Sequence, residues 1–146
     1  MFKNILLATD GSDISSRAAS MAVSLARTHG ATVTAVYVME PYPYLGIGES
    51  NPYGVQAYAA TAQKLAADAH MAVEKLCTEG RSAVTLEARA IENVRAAAGI
   101  VQTAQAEGAD LIVMGSHGRS GIVRMMLGSV VSRVLAESPI PVLVVR

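Results

Sequence analysis

The sequence has no tryptophan and one phenylalanine, and aromatic residues make up only 4% of it. A core without large rings is assembled from Ala, Val, Leu, Ile and Met, which suits small helix faces packed on a Val-rich sheet. Cysteine is scarce as well. Cys77 alone forms no internal disulfide, which fits a reducing compartment. Its place in a helical pattern reads as a small buried hydrophobe rather than a reactive thiol. Charge of either sign is never in excess: 12 basic residues balance 12 acidic ones, and no basic run occurs. That argues against nucleic acid as a partner. No stretch reaches the ~18 to 20 apolar residues of a membrane span, and Met1 to Asp10 lacks the cleavage site of a signal peptide. The expectation is a soluble, cytoplasmic protein.

What is present is 51% apolar residues spread over 146 positions, enough for one domain, 1–146, with a real core. The apolar residues alternate between two periods. Asn4 to Thr9 is a short run closed by Asp10-Gly11-Ser12, the pattern of a strand covered on both faces. Ser12 or Asp13 can cap a helix with Ile14, Ala18, Met21, Ala22 and Leu25 on one stripe, ended at His29-Gly30. Thr32 to Met39 is a second strand, so the three elements form a right-handed βαβ unit with parallel strands.

Residues 40–54 interrupt the rhythm with Pro41, Pro43 and Pro52, Gly46, Gly48 and Gly54, and Tyr42, Tyr44 and Tyr53. This is a long loop, read either as a surface excursion or as a flap over a ligand or partner. A helix over Val55 to Glu79 follows, with Leu65, Ala69, Ala72, Val73 and Leu76 on one face, and its His70 reads as a surface or edge histidine rather than a metal ligand. Ala83 to Ala90 alternates as a half-exposed edge strand. A helix from Arg95 to Glu107, a strand from Leu111 to Gly115, a helix capped by Ser129 and stopped by Pro139, and a last strand from Pro141 to Val145 complete the alternation. The fold class is α/β: an open five-stranded parallel sheet with helices on both faces.

In such sheets ligands bind beyond the carboxyl ends of the strands, where the strand order reverses. The first and fourth strands should flank that point, which brings Asp10 beside the glycine-rich loop that starts at Gly115. A carboxylate there can accept ribose hydroxyl protons, and the loop amides and the Ser129 hydroxyl can cover phosphates at a helix start. Arg119 and Arg124 lie in a loop without acidic residues and add positive potential, unless they are only solvated surface cations. The loop is neither a Walker A motif nor a G-x-G-x-x-G fingerprint.

Gly115-x-x-Gly118, nine residues, then Gly128-Ser129 resembles the G-2x-G-9x-G-[S/T] signature of ATP-binding universal stress proteins. Asn4 to Ser12, Gly108 to Gly115 and Pro141 to Val145 extend the resemblance along the chain. It implies strand order 3-2-1-4-5 and an adenine nucleotide alpha-hydrolase-like fold. It also implies that Asp10 binds the ribose, with Ala8 and Thr9 lining the pocket and Met114 and Gly115 flanking the sugar. Val38 would meet adenine through its backbone, and Gly118, Gly128, Ser129 and Val130 would hold the phosphates of ATP, with a divalent ion such as Mg2+. A homodimer through Val142 to Val145 is implied as well. The chain departs from the family pattern after the third strand, where many members carry Gly before Pro or Ala and this chain has Ile91-Glu92-Asn93-Val94-Arg95.

Three functions follow: a nucleotide-occupied regulatory module in stress response, a slow ATPase using the same site, and a dimeric interaction scaffold without nucleotide. The intact glycines argue against the third. Against efficient hydrolysis stands the lack of any base paired with an orienting carboxylate, His117 being the one candidate. The first reading is favoured.

Overall fold

The computed structural model describes residues 1–42, 52–118 and 126–146. Nine elements alternate along the chain: β1 (Asn4–Ala8), α1 (Asp13–His29), β2 (Thr32–Met39), α2 (Pro52–Thr78), β3 (Leu86–Glu92), α3 (Ala96–Ala106), β4 (Leu111–Gly115), α4 (Ser129–Glu137) and β5 (Val142–Val145). The sheet has the order β3-β2-β1-β4-β5, and every neighbouring pair is parallel. β1 lies at its centre, pairing Ile5 with Val33 on one side and with Leu111 on the other. The α/β fold with order 3-2-1-4-5 is therefore the observed one.

Successive residues of a strand point to opposite faces, so the central strands feed two cores. Ile5, Leu7, Val33, Ala35 and Val113 pack with Ala18, Ala22, Val73 and Cys77 of α1 and α2. Leu6, Val36, Ile112 and Met114 pack with Ile100, Ala104, Val131 and Val134 of α3 and α4. Cys77 is buried, and burial pushes its thiol pKa up, which leaves it the unreactive hydrophobe its context indicates.

Helix ends follow the local chemistry. Ser12 caps α1 by accepting the Ser15 N–H, and Gly30 ends it in the left-handed conformation at φ 67°. The Arg27 guanidinium closes the end of α2 by donating to the carbonyls of Leu76, Glu79 and Ser82. Two sequence expectations shift. α2 begins at Pro52, since proline is well suited to a first helical turn, and its buried stripe runs through Ala66 and Cys77 rather than Ala72. β3 begins at Leu86, because the Val84 N–H is drawn back to the Cys77 carbonyl and residues before Leu86 serve as a connection. Of the two places expected for His70, the structure gives the edge: it is half-buried beside β2 and the edge strand β3, and its Nε2 has no hydrogen-bond partner among the described residues. Most of the 40–54 loop, residues 43–51, lies outside the described residues.

Candidate functional site

The site starts where the central strand stops. Thr9 still donates its N–H to the Val36 carbonyl at 3.0 Å, so the chain stays in the sheet one residue past β1. Asp10 then turns it: Oδ1 accepts the Ser12 N–H at 2.9 Å, and Gly11 takes φ 78°. The Thr9 hydroxyl lies 3.3 Å from that of Ser15 in the first turn of α1. The Asp10 carboxylate is thus fixed at the carboxyl end of β1.

β4 supplies the second wall. Past Gly115, buried Ser116 donates its N–H to the Val145 carbonyl at 2.8 Å, and its own carbonyl accepts the Gly128 N–H at 2.8 Å. One residue therefore joins the entry of the glycine loop, its exit and the end of β5. The Ser116 hydroxyl is 3.1 Å from Nδ1 of His117.

The three glycines of the signature sit where an added side chain would be crowded. A Cβ at Gly118 would lie 2.8 Å from Asp10 Oδ2, one at Gly115 would lie 3.1 Å from Ile14, and one at Gly128 would lie 3.2 Å from the His117 Cα. Gly128, not Ser129, is the N-cap of α4, and it makes no side-chain cap hydrogen bond. Ser129 is the first helical residue, and a Cβ at 128 would crowd the His117 backbone. The helix therefore presents an uncapped, electropositive start to the crevice.

These pieces enclose a cavity of about 460 Å³. Ala8, Thr9, Asp10, Val38, Met114, Gly115, Gly118, Gly128, Ser129 and Val130, drawn from distant parts of the chain, all line it. His117 lines it as well, whereas Arg119 and Arg124 lie outside the described residues. Sequence reasoning missed Ser15, Val36, Glu40, Ala96, Ile100 and Val131. Val36 and Glu40 were accessible as the period-2 neighbours of Val38, and Ala96 and Ile100 as an i, i+4 pair. The departure after β3 has a local answer: Asn93 takes φ 58° and makes the left-handed turn that a glycine would make. Among the described residues, no group of three or more His, Cys, Asp or Glu is placed to hold a metal ion. No described helix is long and apolar enough to cross a membrane.

A similar architecture and similar sequences occur in known proteins. The sequence model of the universal stress protein family matches residues 1–146. A universal stress protein encoded beside a sulfhydrylase gene of Thermus aquaticus is 42% identical over 150 residues, covering 100% of both chains. Among solved structures, the universal stress protein UspA of Lactobacillus plantarum superposes with TM-score 0.80 at 29% identity over 99% of this chain and 97% of the other. A universal stress protein solved in complex with cAMP gives TM-score 0.70 at 25% identity, again over 99% and 97%. With a cavity at the strand-order reversal and a family match from end to end, this chain belongs to the universal stress protein family.

Proposed function

We propose that the protein is a single-domain, ATP-binding regulatory module in stress response, whose state is set by occupancy of the cavity between β1 and β4. What supports this reading above all is the convergence of Asp10, the signature glycines and the start of α4 on one cavity. Its volume of about 460 Å³ falls in the ~300 to 1,000 Å³ range of small-molecule sites. A relative at 25% identity binds cAMP, an adenine nucleotide. Val38 then meets the adenine through its backbone, Asp10 takes the ribose hydroxyls between Ala8, Thr9, Met114 and Gly115, and Gly118, Gly128, Ser129 and Val130 hold the phosphates. The donor set fits this division, with a carboxylate facing the hydroxyls and helix N–H groups facing the anion. Any Mg2+ is carried mainly by phosphate oxygens, since the described walls offer only Asp10 and Glu40 as carboxylates.

Mass spectrometry of the material released on denaturing freshly purified protein tests the reading, together with calorimetric titration of ATP into the emptied protein. An adenine nucleotide in stoichiometric amount and saturable ATP binding are expected; an empty protein that ignores ATP, AMP and cAMP alike removes the reading. A slow ATPase is the second reading, favoured by His117, which lines the cavity with Nδ1 near the Ser116 hydroxyl. Phosphate release that is abolished by His117→Ala would establish it.

A further inference from the structure

Gly99 lies in the second turn of α3, buried, with its N–H donated to the Arg95 carbonyl at 2.9 Å as in any helix. Its backbone has no need of glycine, because its φ is ordinary, and glycine costs about 1 kcal/mol against alanine in a helix interior. What it provides is closeness. A Cβ at this position would lie 2.9 and 3.0 Å from the two Val38 methyl carbons and 3.6 Å from the Val38 Cβ. Contacts under 3.0 Å force something to move, so the Val38 isopropyl group occupies the space a side chain at 99 would take. Val38, Ala96 and Ile100 all line the cavity, which makes this contact part of its wall.

We propose that Gly99 is a positioning residue for the nucleotide site: by leaving room for Val38 against α3, it keeps the valine methyls out of the cavity and sets the width of the end that receives the base. The proposal rests on the adenine-nucleotide reading above. α3 cannot easily retreat, since Ile100, Val101 and Ala104 anchor it in the core. A β-branched valine has few rotamers, and Val38 borders both this cavity and a shallower hollow lined by Met39, Tyr58 and Leu65. A methyl group at 99 therefore turns Val38 inward, where it competes with the ligand.

The test is a double-mutant cycle read by ATP titration, with crystal structures of the ligand-free variants. Gly99→Ala in the unaltered chain is expected to weaken ATP binding at least tenfold, whereas the same change made in Val38→Ala is expected to shift affinity less than threefold. Equal losses in the two backgrounds, or no loss in the first, overturn the proposal. The structure of Gly99→Ala decides the packing separately: Val38 turned into the cavity upholds it, and an unmoved Val38 with a displaced α3 refutes it. Should the unaltered protein bind no adenine nucleotide, the nucleotide reading alone falls, and that structure still decides what Gly99 does.

Discussion

The three signature glycines differ from Gly11 in that close neighbours, and not a positive φ, are what a side chain would meet there. Gly118 has no positive φ, so an alanine fits its backbone, yet the added methyl would stand 2.8 Å from Asp10 Oδ2. Asp10 has little room to yield, because its other oxygen holds the Ser12 N–H. Gly118→Ala is therefore expected to lower ATP affinity about tenfold or more, a loss of ~1.4 kcal/mol or greater, with little change in the unfolding midpoint. Calorimetric titration beside a thermal melt separates the two quantities, and unchanged affinity would remove Gly118 from the phosphate loop. At this scale the spacing of the signature was legible in the sequence, but its reason was not. Nothing in Gly-x-x-Gly reveals that the second glycine faces a carboxylate more than a hundred positions earlier in the chain. Gly99 left even less trace, since a glycine inside a helical pattern has no period to mark it.

At the scale of elements, α2 carries a titratable group into the fold. Burial lowers the pKa of His70 below its ordinary 6.5, partly offset by the nearby carbonyls of Ala35 and Arg89, which favour the charged ring. On β3, Arg89 is engaged by Glu107 and Glu87. The folded state thus binds the proton less readily than the unfolded chain. The stability that His70 contributes is whole above pH 6.5, declines as pH falls below that value, and levels off beneath the folded-state pKa. Urea unfolding between pH 7.5 and 5 (about the window His70 governs) is expected to show this decline, and His70→Gln to flatten it. A slope that survives the substitution assigns the effect to other groups. Element types and order were readable because α1 and α2 carry long 3.6-residue apolar stripes, while β1 and β2 are short, nearly continuous apolar runs bounded by turn residues. β3 slipped because Val84 is apolar for a different purpose: it fills the core beside Cys77 while its N–H serves the end of α2.

For the molecule as a whole, the two edges of the sheet are unlike. The β3 edge carries Glu87, Arg89 and Glu92, and charged side chains discourage strand addition. β5 offers Val142, Leu143, Val144 and Val145, all half-buried and all apolar. The homodimer that the family resemblance implies would pair the β5 edges of two copies about a twofold axis. Val144→Lys is expected to convert the dimer to a monomer in sedimentation equilibrium at ~10 µM protein, a concentration at which micromolar or tighter association is detectable. An unaltered protein that sediments as a monomer there would refute the assignment. The same edge ends at Val145, whose carbonyl is held by Ser116, the residue whose own carbonyl holds Gly128 at the mouth of the phosphate loop. The proposed ligand site and the implied pairing edge thus share Ser116, and any free energy that couples them is reciprocal: a nucleotide that tightens the assembly must be bound more tightly by the assembly, in the same ratio.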